Sequence, residues 1–450
     1  MAEKDIRMKK IFHVFALCFI VSVSSAEDYI VMDDETETFL CEIVNSIKSG
    51  MGYESEIKVY ISTDQTLNAS AIQSGDIVVN AGAIIQSSNY KELIAILAHE
   101  VGHIEGRHIP LLMSHMKDFM KAGLVPALIG GAIAAIAGNP APLMAGVLGG
   151  QSISQGMVLG KMRQKEEIAD TKAADALKKL GWYLFDGCLY MHKKLASKSF
   201  VYNEYLSSHP HSSKRIAKYK QYYEEFKNKP LSEKVQKLMK KYEAKFETIK
   251  KKLHALVIQN EFLGELYKSP KNNNEKYARA VALYRLNKYH EAIKLIDELP
   301  SEDIDQSAYY NEIKCMALIN LKRSKEATEI AKRLLQNTRK IKDHRDLVVI
   351  YAEAVNSGNI RPHAESAIKY LQRIVSPKND DLSALHELGK LYTMTNQLDK
   401  ASYCAAQTAF LAGDNKMAKI HASRAMAGKD PVIKRKAQDI LNSLKDEEKK

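Results

Sequence analysis

Cysteine is scarce in this sequence, five residues in 450, and no two stand at metal-ligand spacing. That excludes zinc ribbons and CxxC redox chemistry. Cys41, Cys188, Cys315 and Cys404 read as buried free thiols, the ordinary state in a chain large enough for real cores. Apolar runs of comfortable spanning length are missing as well. The uncharged stretch 122–138 has 17 residues and carries Pro126, Gly130 and Gly131, which leaves it at the lower limit for a membrane helix. Asn139-Pro140-Ala141-Pro142 then turns the chain, and 143–150 is apolar again. The segment 122–150 reads as a hairpin of two short, small-residue helices, packed on its own domain or resting at a membrane surface. Nucleic-acid motifs are absent too, although the formal net charge is +12. Lysines such as those of 234–252 are interleaved with glutamate, as on a solvated helix face.

A chain of 450 residues has room for two or three domains. It begins with Lys4, Arg7, Lys9 and Lys10, an apolar run over 11–23, and Ser24-Ser25-Ala26 before Glu27. That order is the pattern of a secretory signal peptide over 1–26, so the mature chain is expected outside the cytoplasm. A helix follows over 35–48, then a strand over 57–61 and a short β-rich run over 77–79. A strand edge beside the next helix offers a place where an extended peptide can add as a further strand.

That next helix, 89–108, is the centre of the chain. Asn89 can cap it, with Glu92 as capping-box partner, and Leu93, Ile96, Leu97 and Val101 form an apolar stripe. His99 and His103 are four residues apart, so both imidazoles leave one helix face within reach of one metal ion. Glu100 stands beside that ion, where a carboxylate can take a proton from water. The stretch continues to Gly106 and His108, close to a pattern that places a third histidine ligand after the glycine. His108 comes one residue early, so it reads as structural and the third ligand must lie elsewhere. Glu166 and Asp170 supply a candidate: one turn apart on a helix that ends near Gly181, they match a His2Glu zinc site. The first carboxylate would bind metal and the second orient a ligand histidine.

With both blocks in view, the sequence resembles the zinc metallopeptidase family that includes HtpX and the CAAX prenyl protease. It is most like the periplasmic members that end in tetratricopeptide repeats. The family pattern is HExxH, then S-R-x-x-E-x-E-A-D, then a late His-Pro with a following Arg. Here these are His99 to His103, then Met162 to Asp170, then His209-Pro210 with Arg215. Met162 replaces the usual Ser and Ile168 the usual Glu or Gln, and neither position supplies a ligand. The resemblance implies one Zn2+ per chain held by His99, His103 and Glu166, with Glu100 as general base and Asp170 behind a ligand. Arg215 joins the site by the same pattern. His209 has two readings: it stabilises the oxyanion, or as a fourth imidazole it closes the open position of the metal and keeps the enzyme latent.

Residues 231–270 read as a charged helical linker ending in Ser269-Pro270, and 271–450 as helix pairs. Ala282, Leu286 and Ala292 recur 35 residues later as Ala317, Leu321 and Ala327. Ala367 recurs as Ala401 at 34, residues 358–363 lengthen one loop, and Leu388-Gly389-Lys390-Leu391-Tyr392 matches part of the tetratricopeptide pattern. The expected fold is mainly α: a gluzincin-type metallopeptidase domain over 27–230 with a small β-sheet, then a tetratricopeptide solenoid. Its expected work is hydrolysis of peptide bonds outside the cytoplasm, and the resemblance implies misfolded or stalled envelope proteins of the periplasm as substrates. The resemblance adds outer-membrane assembly machinery as the partner of the repeats, and peripheral membrane contact through 122–150. A scaffold or chaperone with a dormant metal centre is the alternative.

Overall fold

The structure is a computed structural model that describes residues 30–108, 152–197, 209, 213–300, 302–338, 340–375 and 381–448. The expected signal peptide and the 122–150 hairpin lie outside the described residues. No helix among the described residues is long and apolar enough to cross a membrane. The four cysteines of the described residues are free thiols, with Cys188, Cys315 and Cys404 buried.

The chain divides into two compact units. One spans Thr36–Val257; the other comprises Ile258–Lys450 together with the residues up to Glu35. The first unit contains most of helix α1 (Asp34–Met51), strands β1 (Val59–Ser62), β2 (Ala69–Ala71) and β3 (Ile77–Asn80), and helices α2 (Ala81–Gln86) and α3 (Tyr90–Glu105). After the undescribed stretch come α4 (Ser152–Lys179), α5 (Phe185–Ser197), α6 (Ser213–Phe226) and α7 (Glu233–Val257). In the sheet β3 runs parallel to β1, with Val59 opposite Ile77, and antiparallel to β2, with Ala69 opposite Val79. Ile77 and Val79 are fully buried, as a central strand requires, and β2 is left at the sheet edge. An edge strand is where an extended chain can add.

Helix α3 is buried along nearly its whole length. Its N-cap is as expected from the sequence: the Asn89 side chain accepts from the backbone N–H of Lys91 and Glu92. The Glu92 carboxylate turns back to the Ser88 N–H at 3.0 Å, one residue before the position a capping box uses. Two neighbours approach α3 more closely than side chains allow. At Gly102 an added Cβ would stand 2.6 Å from the Ala169 carbonyl oxygen of α4, and at Gly187 of α5 it would stand 2.6 Å from the Lys91 backbone. Both helices thus cross α3 at a residue without a side chain.

The segment expected to link the domains is largely one helix, α7. Its Tyr242, Phe246, Ile249 and Leu253 follow helical spacing and are fully buried within the Thr36–Val257 unit. Phe39 of α1 and Trp182 meet the Tyr242 ring edge-on.

The second unit is an array of helix pairs: α8 (Asn273–Arg285) with α9 (Tyr289–Asp297), α10 (Ile304–Asn320) with α11 (Ser324–Asn337), α12 (Arg345–Ser357) with α13 (Arg361–Ile374), and α14 (Leu382–Met394) with α15 (Leu398–Leu411). Helices α16 (Asn415–Met426) and α17 (Pro431–Glu448) close it, with Ala418, Ala422 and Ala425 packed on Ile433, Ala437, Ile440 and Leu444. Each of the four pairs turns through one residue in the left-handed region: Asn287, Lys322, Asn359 and Asn396. Those residues step by 35, 37 and 37. Two details of the sequence reading change accordingly. Residues 358–363 make the same tight turn as the other pairs, so the added length lies in the connections between pairs. Ala364 rather than Ala367 stands where Ala401 does, because α13 starts at Arg361 and α15 at Leu398. Within this unit Tyr277 donates to the Glu35 carboxylate at 3.1 Å, and Arg345 pairs with Asp34 at 2.9 Å.

Gly102→Ala should force α3 and α4 apart, since the clash is with backbone and no flexible side chain can yield. Overpacking of this kind costs about 1–3 kcal/mol. Thermal unfolding followed by circular dichroism reads the loss, and an unchanged midpoint would show that the crossing has slack.

Candidate metal centre

The crossing of α3 and α4 sets out four potential ligands. His99 and His103 project from one face of α3, Glu166 comes from α4, and His209 approaches from the segment before α6. All four are buried, and one donor atom of each lies within 4.8 Å of the others. His103 Nε2 is 3.0 Å from His99 Nε2 and 3.2 Å from Glu166 Oε1. His99 Nε2 is 3.1 Å from Glu166 Oε2. His209 Nδ1 lies 3.3 Å from both His99 Nε2 and Glu166 Oε2. Tetrahedral zinc with bonds of about 2.0–2.1 Å sets neighbouring donor atoms roughly 3.3 Å apart. The separations therefore suit one such cation, and three imidazoles with a carboxylate are a donor set it accepts.

Behind these atoms lies a shell of hydrogen bonds. Asp170 faces the other side of His99, with Oδ1 at 2.9 Å from Nδ1. Arg215 grips Asp170 with Nε to Oδ2 at 2.6 Å and Nη2 to Oδ1 at 3.0 Å, and its Nη1 reaches Glu166 at 2.9 Å. Tyr219, one turn further along α6, donates to the same Asp170 oxygen at 3.2 Å. His103 is backed differently: its Nδ1 is 2.9 Å from His108 Nδ1. Lys165 of α4 donates to the His108 carbonyl at 2.8 Å.

Glu100 stands beside the cluster and is fully buried. The backbone N–H of Ala71, in edge strand β2, donates to its Oε2 at 2.9 Å. Among the described residues Oε1 has no hydrogen-bond partner, and it lies 3.5 Å from His209 Nε2. A buried carboxylate oxygen without a partner is costly, so it is a natural acceptor for water or substrate. His209 Nε2 also lies 3.3 Å from the Ala69 carbonyl oxygen of β2.

The ionisation pattern follows from burial set against neighbours. Burial would lower the His99 imidazole, but Glu166 and Asp170 outweigh it and raise it to about 10. Burial wins at His103, which is lowered, and pushes His108 down to about 3 with help from His103. Burial would raise Glu166 and Asp170, yet the histidines around Glu166 and Arg215 beside Asp170 hold both well below the carboxylate range. A cluster that keeps its carboxylates ionised and draws a proton onto His99 is one that calls for a cation.

Every residue that the sequence singled out for this site is therefore in one buried cluster. The sequence reading did not assign Tyr219, Lys165, the Ala71 N–H or a role for His108 here. Tyr219 had a signal, its i+4 spacing from Arg215; the backbone donor had none.

Residues 35–222 match the sequence model of the family described as peptidase family M48. The fold and site thus define the class, and this chain is a metallopeptidase. Among particular proteins, it is similar to the beta-barrel assembly-enhancing protease of Yersinia pestis, 26% identical over 79% of this chain and 71% of that protein. The protein of the same name from Escherichia coli K12 is 23% identical over 82% of this chain and 73% of its own length. A putative one from Vibrio cholerae is 25% identical over 30% of this chain and 28% of its own.

Arg215→Met should leave two buried carboxylates without their cation, a loss of about 3–5 kcal/mol. The sign with pH is fixed: Asp170 is depressed, so its contribution is full above its unfolded pKa of about 3.9 and lost on further acidification. Denaturant unfolding across that range should find the wild type losing stability toward low pH and Arg215→Met losing less.

Proposed function

We propose that this chain is a zinc-dependent endopeptidase of the bacterial envelope that hydrolyses misfolded or stalled outer-membrane proteins. The observation that carries the peptidase chemistry is Glu100 Oε1, without a hydrogen-bond partner among the described residues, beside three imidazoles and a carboxylate at tetrahedral spacing. The envelope setting rests on the signal-peptide pattern of 1–26 and on relatives named as β-barrel assembly-enhancing proteases.

In this reading His99, His103 and Glu166 hold the zinc ion. Bound there, zinc supplies Lewis acidity that makes water a nucleophile near neutral pH and polarises the scissile carbonyl. The rest is done by the chain itself. An extended substrate pairs along the edge of β2 at the Ala69 carbonyl once His209 has moved, while the Ala71–Glu100 hydrogen bond holds the base against that strand. Glu100 takes the proton of the attacking water on Oε1 and passes it to the leaving amine. Asp170, itself gripped by Arg215 and Tyr219, fixes the ring of His99 so that Nε2 faces inward. The helix pairs give a long array of surfaces for docking tetratricopeptide-type partners, with the outer-membrane assembly machinery as the expected one.

His209 is the restraint. Its Nδ1 stands at ligand distance from His99 and Glu166 while Nε2 faces the Ala69 carbonyl, an acceptor that a paired substrate would use. This arrangement favours the latent state over the oxyanion role. Substrate must displace the imidazole, a two-state change that needs a differential binding energy of a few kcal/mol.

Glu100→Gln should keep stoichiometric zinc and lose roughly 10²–10⁴ in turnover of casein, whereas Glu166→Ala should lose the metal. Elemental analysis beside a casein assay separates the two; full activity in Glu100→Gln would remove Glu100 as the base, and no cleavage by wild type and His209→Ala alike would favour the scaffold alternative. His209→Ala should raise casein cleavage; a fall of about 10²–10³ would instead assign it to the oxyanion.

A further inference from the structure

We infer that His108 is a positioning residue for His103, doing with a neutral imidazole what Asp170 does for His99 with a carboxylate. The inference rests on the metal-site reading above and goes beyond it. His103 Nε2 points into the cluster, 3.0 Å from His99 Nε2 and 3.2 Å from Glu166. Its Nδ1 points away and meets His108 Nδ1 at 2.9 Å. Two buried nitrogens at that distance share one hydrogen. For Nε2 to offer a lone pair, the hydrogen must be on His103 Nδ1, which donates, and His108 Nδ1 accepts. His108 then carries its own hydrogen on Nε2.

Three further features serve this one contact. Gly106 has no side chain, and a Cβ there would collide with the His108 ring at Nε2. Arg107 is in the left-handed region, φ 52°, which turns the chain so that the ring folds back on α3. Lys165 of α4 then holds the His108 carbonyl at 2.8 Å. A non-glycine residue at positive φ is uncommon, and here it is the link between the helix end and the ring. The glycine and the histidine that nearly match another metallopeptidase pattern are thus explained as a pair: Gly106 admits the ring, and His108 stands behind the ligand.

The consequence is an asymmetric site. A carboxylate behind a ligand histidine raises its basicity and adds negative charge around the cation. Asp170 does so behind His99, with Arg215 to balance it. Behind His103 the acceptor is neutral, so the ring is oriented without a further buried anion.

The test is zinc affinity of the full-length chain, measured by competition with a chelator, beside thermal unfolding of the metal-free protein. His108→Phe removes the acceptor and keeps the bulk, and should weaken zinc binding by about 10–100-fold. His108→Asn, whose Oδ1 can take the place of Nδ1, should recover most of it. A merely structural role would lower the metal-free midpoint in both variants and leave affinity alone. Should His108→Phe fail to fold, Gly106→Ala, which displaces the ring without removing it, must show the same fall in affinity. Wild-type affinity in His108→Phe, with binding lost in His103→Ala, overturns this inference alone. Wild-type affinity in His103→Ala overturns the metal-site reading and this inference with it.

Discussion

The close crossing of α3 and α4 is the constraint on which the site depends. Gly102 lies between His99 and His103 along α3, and Ala169 between Glu166 and Asp170 along α4. Only because one residue has no side chain and the other a methyl do the backbones come near enough for short carboxylates to span the gap. Glu166 then reaches the inward nitrogens and Asp170 the outward nitrogen of one imidazole. A wider crossing would leave the same residues on the same helices with nothing between them. Gly187 gives α3 a second close neighbour, so the helix that bears the HExxH motif is held from two sides.

That rigidity has an electrostatic purpose. Glu100, Glu166 and Asp170 are all buried, and Arg215 is the guanidinium that reaches the last two. Buried carboxylates without full compensation are expensive, and so are buried imidazole nitrogens left without a partner. A divalent cation resolves both at once. Behind His103 the neighbour is the His108 imidazole, so no further buried anion is added there.

The two units are built on different physics. The Thr36–Val257 unit depends on contacts between residues far apart in sequence, as in Ala71 with Glu100 or His99 with Asp170 and Arg215. The helix pairs depend on neighbours, with small alanines such as Ala292, Ala327 and Ala364 fully or nearly buried where paired helices meet. Catalytic geometry needs the first kind of organisation, because ligands must come from several elements. An extended docking surface suits the second.

The sequence by itself determined the helix that carries His99 and His103, its cap at Asn89, the partner block around Glu166 and Asp170, and the helix-pair character of the second half. Each of these is written in spacing along the chain, where four residues make one helical turn and Ala282, Leu286 and Ala292 recur 35 residues on. Only the tertiary structure decided what His209 and His108 face, because His209 sits in a bend and His108 follows the turn at Gly106 and Arg107, where the periodicity of α3 has ended. It alone found the N–H of Ala71 behind Glu100, since a backbone donor has no side-chain signature. It also put the extra residues of the repeats between pairs rather than within one, because a stretch such as Gly358-Asn359-Ile360-Arg361-Pro362-His363 reads alike as a loop or as a tight turn running into a helix.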